Sequence, residues 1–465
     1  MSTLEQAGIP AASAPRRGRS FFGEPIGLAY LSFTEAWERF SYYGMTALLV
    51  LYMSQALFLP GHVEHVAGFT QFRAALEAVF GKMSTLALAS QVFGLYTGFV
   101  YFTPVFGGWI ADRFLGRRRA VMTGATLMSV GQISMAFDQS FLLALACLVI
   151  GCGLLKGNIS VQVGQLYAPD DSAGRTRGFT IYSMGINFGA TAGPLLCGLL
   201  AALYGWHAGF ALGGALMLIG LATYIAGYRT LAETAPAASR AQAAAKLDAH
   251  AWRVVLALVA VMALTIFHSI AYYQNSNMGL VWINAHVDLG LLGWRVPVAW
   301  FNSIDSFISI VSVAPLIALW KWQDARGGEP GEIAKIATGA AIAAMANLLL
   351  VLGCLTFVRV PVLFPILYDV LLGVAFLYYW PTLLALVSRA APPAIKSTMM
   401  GVAFLTLFLS NITIGRLGGY YEQMTPAMFW ALHAGIAATG AVLAMLFARP
   451  LGRALDASCA VSPRA

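Results

Sequence analysis

The sequence predicts an all-α membrane protein of twelve transmembrane helices in two six-helix bundles. Three observations carry that reading. Of the 465 residues, 59% are hydrophobic and only 10% are charged, against roughly 25% charge in an ordinary soluble domain. So few charges do not cover a water-soluble surface of this size, which excludes a soluble enzyme, a disordered scaffold and a nucleic-acid binder. Twelve apolar runs are each long enough to cross a bilayer, for which a helix needs roughly 20 residues. The basic residues are sorted to one side of those runs.

Taken in order, the spans lie near 27–55, 86–110, 118–137, 141–166, 177–203 and 206–228, then 253–278, 297–322, 333–354, 362–389, 396–418 and 426–448. Residues 1–26 are a small, polar, basic tail without the apolar core of a signal peptide. Most connections are short; the longest are 57–84 and 229–252. The second is rich in Ala and charge and falls between spans six and seven. It is the expected linker between an N-terminal bundle, 27–228, and a C-terminal bundle, 253–448, followed by a tail, 449–465.

With the N-terminus in the cytoplasm, 21 of the 28 Lys and Arg residues fall on that side, among them Arg16, Arg17, Arg19, Arg240, Lys246 and Arg464. Five fall outside (Arg73, Lys82, Arg295, Arg359, Arg416), and Arg39 and Lys156 lie within spans. This asymmetry orients both termini to the cytoplasm and explains the net charge of +8 without a polyanionic partner. The five cysteines form no close pair and read as packing residues. Gly185, Gly189 and Gly193 form a small-residue step on span five that permits close helix approach. Pro104, Pro194, Pro315 and Pro381, in or near spans, are expected bending points.

An ionisable group at mid-bilayer costs at least about 2.5–3.5 kcal/mol, so it persists where it is paired or faces a cavity. Six residues qualify: Glu35, Glu38, Arg39, Lys156, Asp305 and Asp369. Glu35, Glu38 and Arg39 share one helical face at i, i+3 and i+4, which Tyr42, Tyr43 and Thr46 extend. Two carboxylates against one guanidinium leave an acid without a full partner, the condition for loading and releasing a proton. Lys156 on span four is the expected cross-helix partner of Glu35 or Glu38, or of a substrate carboxylate. Asp305 is a further candidate, Asp369 a weaker one, and His268 reads as an interior packing histidine. At the end of span two, GGWIADRFLGRRR places Asp112, Arg113 and Arg117 in a charged loop, either an ordinary cytoplasmic loop or a conformational latch.

These segments resemble the major facilitator superfamily and, within it, the proton-dependent oligopeptide transporter family. GGWIADRFLGRRR is similar to the superfamily's loop between spans two and three. Glu35-Ala-Trp-Glu38-Arg39-Phe40-Ser41-Tyr42-Tyr43-Gly44-Met45 matches the narrower family's E-x-x-E-R-F-x-Y-Y-G-M signature. Phe99–Asp112, Lys156 with Asn158 and Gly164–Tyr167, Phe179–Gly198, Gly205–Phe210, and Lys396–Gly401 with Asn411 match further family segments. The resemblance implies the major facilitator fold and alternating access, with proton-driven symport of small peptides or peptide-like solutes. Glu35, Glu38, Arg39 and Lys156 would couple protons. Tyr43, Tyr101, Asn187, Tyr273, Gln274, Asp305 and Phe376 would form the substrate site, and Asp112, Arg113 and Arg117 the latch.

The sequence departs from the family pattern in its C-terminal half. Thr46 stands at a usual basic position, Tyr273 and Phe376 at two usual glutamates, Ala403 at a tryptophan and Asp305 at an asparagine. Asp305 is therefore the expected replacement for the carboxylate lost at Phe376, facing a larger aromatic surface. The alternative cargo is a modified peptide, amino-acid conjugate or other bulky organic solute, exported rather than imported. No HExxH, GxSxG or paired protease aspartates suggest an enzyme, and no signalling domain suggests a sensor. The expectation is a monomer in the bacterial inner membrane, with a small-molecule substrate, the lipid bilayer as its surroundings, no nucleic acid, no metal and no cofactor beyond the coupling proton.

Overall fold

The computed structural model describes residues 20–168, 171–231, 248–291 and 293–456. The tail arginines Arg16, Arg17, Arg19 and Arg464, Cys459, and Arg240 and Lys246 of the linker lie outside the described residues. Fifteen α-helices form among the described residues. In the first half these are α1 (Ile26–Tyr52), α2 (Phe69–Phe80), α3 (Thr85–Ile110), α4 (Arg117–Ser134), α5 (Phe141–Gln165), α6 (Ser172–Tyr204) and α7 (Trp206–Gly227). The second half contains α8 (Ala249–Tyr273), α9 (Leu280–His286), α10 (Phe301–Val311), α11 (Val313–Asp324), α12 (Glu332–Thr356), α13 (Leu363–Ala390), α14 (Lys396–Gly418) and α15 (Pro426–Asp456).

Two pairs of these helices are single rods. A π-helical turn, Asn275–Gly279, joins α8 to α9. α10 and α11 meet at a 44° bend. Pro315 has no N–H for the carbonyl four residues earlier, that of Val311, and the helix breaks there. Pro104, Pro194 and Pro381 sit inside unbroken helices. With α2 set apart as a short connecting helix, twelve rods remain, in line with the spans read from sequence.

Among the described residues, nine helices are long and apolar enough to cross a membrane, and the bent pair makes ten. The other two long rods fall short for a local reason. α1 carries Glu35, Glu38 and Arg39 in its middle, and the 18 residues of α4 open with three arginines. Within the connection 57–84 the chain forms α2, and α15 runs on to Asp456, past the end expected at 448.

The rods pack as two groups. α1 lies buried against α6 and α7, with α3, α4 and α5 completing the first group; α8 to α15 pack around α12 and α13 as the second. The step on α6 works as the sequence suggests: a Cβ on Gly189 would lie 2.6 Å from the Ala36 carbonyl oxygen and the Phe40 nitrogen. Only glycine lets α6 come this close to α1.

The groups meet along two helix pairs, α3 with α14 and α6 with α10. Ser90 Oγ donates to the Gly415 carbonyl at 3.0 Å and receives Asn277 Nδ2 at 2.7 Å. Ser303 Oγ donates to the Thr191 carbonyl at 2.7 Å, and Trp300 Nε1 to the Leu195 carbonyl at 2.9 Å. All four bonds lie toward the end of the molecule remote from the Asp112–Arg119 loop. Among the described residues, three two-residue strand pairs lie outside the helices, including a parallel one that aligns Val287 with Val360. The four cysteines among the described residues are free, and two of them are fully buried.

Candidate functional site

Between the two groups lies a cavity of about 180 Å³. Six residues expected in a substrate site line it: Tyr43 on α1, Tyr101 on α3, Asn187 on α6, Tyr273 on α8, Asp305 on α10 and Phe376 on α13. They come from both halves of the chain, because each helix delivers its polar or aromatic face to the same axial level. Gln274 does not line the cavity. It is fully buried, and its carbonyl receives the N–H groups of Asn277 and Gly279. α8 ends at Tyr273, and the π turn directs Asn275 and Ser276 to the cavity instead.

One wall is aromatic. Tyr101 and Tyr273 face each other across the groups at 6.3 Å between ring centres. Phe376 stacks on Tyr272 at 5.7 Å. The Tyr272 hydroxyl donates to Asp305 at 2.6 Å, and the Ser306 N–H donates to the other carboxylate oxygen at 2.6 Å. Asp305 is thus hydrogen-bonded and near the cavity surface, with no cation within ion-pairing distance among the described residues.

Sequence reasoning overlooked Asn302, Ser306 and Ser309, which also line the cavity. The signal was present: with Asp305 they form an i, i+3, i+4, i+7 stripe on α10, the pattern of one helical face. Asp369 is fully buried outside the lining, facing Asn275 and Asp305. His268 packs between Tyr272 and Tyr379, as an interior histidine should.

Beside the cavity, α1 buries Glu35, Glu38 and Arg39 to 3% exposure or less. Arg39 grips Glu38 with two nitrogens, one of them Nη2 at 2.5 Å from Oε1. It reaches Glu35 Oε1 with Nε at 3.2 Å. The fork is shared unequally. Glu38 has the bidentate contact, while the Oε2 of Glu35 makes no well-formed hydrogen bond and faces Tyr182. Arg39 also lies 5.2 Å from the Tyr42 ring centre, which ties the charged cluster to the cavity wall one turn along α1.

Lys156 is not ion-paired to either glutamate within 4 Å. Lys156 is absent from the cavity lining; its ammonium lies 4.5 Å from the centre of the Tyr101 ring, which does line the cavity. A cation over an aromatic face is held by about 0.5–2 kcal/mol, and its remaining donors suit a carboxylate.

The expected latch residues form a local group. Asp112 pairs with Arg117 at 3.0 Å, and Arg113 lies 5.9 Å from the Phe114 ring centre. Both contacts stay within the turn between α3 and α4. No ion pair from Asp112, Arg113 or Arg117 to the second group occurs among the described residues.

Residues 31–415 match the model of the Major Facilitator Superfamily. The chain belongs to the Major Facilitator Superfamily. Among its relatives, a peptide transporter, YePEPT, of Yersinia enterocolitica is 28% identical, covering 94% of this chain and 97% of the relative. A di-/tripeptide transporter of Lactococcus lactis subsp. cremoris is 34% identical over 61% of this chain and 53% of its own. The solved peptide transporter POT, with sulfate, superposes with a TM-score of 0.81 at 25% identity over 94% of this chain and 97% of that one. A mutant of it with alafosfalin does so at 0.81 and 26% identity, over the same shares. The narrower resemblance, to the proton-dependent oligopeptide transporters, is therefore met in sequence and in fold. This superfamily member is a multi-pass membrane transporter.

Proposed function

We propose that the protein is a proton-coupled symporter of small peptides or peptide-like solutes, working by alternating access. One observation carries the proposal: the cavity between the bundles has a carboxylate, Asp305, in its lining on one side and a cation, Lys156, packed against the lining ring of Tyr101 on the other. A zwitterionic peptide presents the complementary pair of charges. The relatives named as peptide transporters support this cargo, and the aromatic wall favours members with bulky or apolar side chains.

The coupling mechanism follows from the unequal fork. Arg39 compensates one carboxylate fully and the other weakly, so a proton on Glu35 or Glu38 removes the excess negative charge. A carboxylate that has lost its proton competes with the substrate carboxylate for Lys156. Protonation releases Lys156 to the substrate, and substrate release on the far side returns it.

In this reading the Asp112–Arg119 end is cytoplasmic and the hydrogen bonds between the bundles close the outer end. The surroundings are the bacterial inner membrane, the molecule acts as a monomer, and no cofactor takes part beyond the proton. Reconstituted protein should accumulate dialanine under an inward-acid gradient, and Glu38→Gln should lose accumulation while retaining exchange of labelled for unlabelled dialanine. Accumulation indifferent to the gradient would sink the proposal.

A further inference from the structure

A second cavity, of about 390 Å³, opens at the end of the molecule where the bundles meet. Its walls come from both bundles: the α2–α3 connection and the start of α3 on one side, the end of α14 and the following turn on the other. Three features mark it as a binding site.

Gln91 lines it, is 1% exposed, and has no hydrogen-bond partner for either amide atom. A buried primary amide left with both donor and acceptor unpaired carries the desolvation penalty of each group. A ligand that offers an acceptor and a donor together recovers that cost, as a peptide bond does.

Cations stand at the rim. Arg416 is anchored by Nη1 to the Phe80 carbonyl at 2.7 Å, across the bundle boundary, and lies 5.6 Å from the Tyr420 ring centre. The anchor leaves its other nitrogens to bind an anion. Lys82 lines the same cavity.

The third feature is an acid at the same rim. Glu422 is held by the Ser84 hydroxyl through one carboxylate oxygen, again across the boundary. Its other oxygen is open to an ammonium.

We infer that this cavity is a second, outer binding site for a small zwitterion containing a peptide bond. The carboxylate goes to Arg416 and Lys82, the ammonium to Glu422 and the peptide bond to Gln91. A free amino acid supplies the charges but not the amide. The inference rests on the proposed function for its orientation and its cargo class. It adds a regulatory consequence, since both bundles contribute walls and a ligand there favours the state in which they touch. High outside peptide then slows the return of the empty carrier.

The test is equilibrium binding of radiolabelled dialanine to purified protein in nanodiscs, with alanine as the comparison ligand. Lys156→Gln silences the central site; in that background a saturable site should remain, which alanine does not fill. Adding Arg416→Gln or Glu422→Gln should weaken it at least about tenfold, as expected on losing one charge-assisted bond, with thermal unfolding unchanged as the folding control. Loss of all binding in Lys156→Gln, or residual binding indifferent to both rim variants, overturns the outer site while leaving the central one standing. Binding indifferent to Lys156→Gln but lost with Arg416→Gln keeps the outer site and overturns the central reading. Absence of saturable dialanine binding in every form overturns both.

Discussion

Lys156 holds its ammonium over the Tyr101 ring, 4.5 Å from its centre, and not against Glu35 or Glu38. The cation is parked on a surface that gives it up at little cost, which suits a group that must change partners within each cycle.

Lys156→Gln should therefore abolish recognition of the substrate carboxylate. Dialanine should compete for transport in the wild type and fail in the variant, whereas dialanine amide should compete equally poorly with both. Tyr101→Leu removes the resting place that the ammonium leaves on binding, so it should tighten the carboxylate contact, by at most about 0.5–2 kcal/mol, the worth of the cation–aromatic contact. Unchanged dialanine affinity in Lys156→Gln would place the carboxylate elsewhere.

The fork at Arg39 predicts an unequal response of the two acids. Glu38 makes the bidentate contact, so Glu38→Gln should destabilise the fold by about 3–5 kcal/mol, the usual cost of breaking a buried pair. Glu35→Gln, which removes a single 3.2 Å contact, should cost less. Thermal unfolding in detergent reads the order. For transport the sign is fixed by the loading step. Wild-type uptake should rise as the outside is acidified, because protonation frees Lys156. Either glutamine variant should give a flat profile, with exchange preserved in both.

Asp305 predicts selectivity for a free amine. With its two oxygens set by Tyr272 and Ser306, the carboxylate is oriented toward the cavity. Asp305→Asn should lower affinity for dialanine about tenfold, the loss of a charge-assisted bond. N-acetylated dialanine should bind both forms alike. Equal losses for both ligands would assign Asp305 to structure alone.

How far the sequence reaches can be read from particular residues. The twelve rods were legible because bilayer thickness sets their length, and Glu35, Glu38 and Arg39 because an i, i+3, i+4 spacing fixes their common face. Gln274 was misplaced because the π turn after Tyr273 rotates the chain by a residue, and no local pattern announces such a turn. α2 was unread because its short amphipathic run lay inside a connection. Ser90, Asn277 and Ser303 carry no motif; their roles come from which helix lies opposite, and single-sequence periodicity holds no such pairing information. The line from Pro315 to the break at Ser312 was half-legible, since the proline marked a bend without saying that three others would leave their helices whole.

The glycine contact between α3 and α14 predicts a conformational defect. A Cβ on Gly94 would overlap the Asn411 carbonyl and come 2.7 Å from the Gly415 Cα. Gly94→Ala should therefore disfavour the state described here by about 1–3 kcal/mol, as overpacking does. Spin labels on the outer ends of α3 and α14 should report a longer distance in the variant. Gly98→Ala, whose Cβ would stand 3.3 Å from the nearest atom, should shift it little. Identical distance distributions in Gly94→Ala and wild type would contradict the closed-end assignment.

The bonds made across the bundle boundary by Ser90, Asn277, Ser303 and Trp300 have an energetic meaning of their own. Each is worth about 0.5–1.5 kcal/mol net. One elementary charge falling through 100 mV releases about 2.3 kcal/mol. A fastening of this strength sits within a factor of a few of the electrical work done by a single ion, so a coupling ion that crosses the field carries energy of the order needed to loosen the doorway.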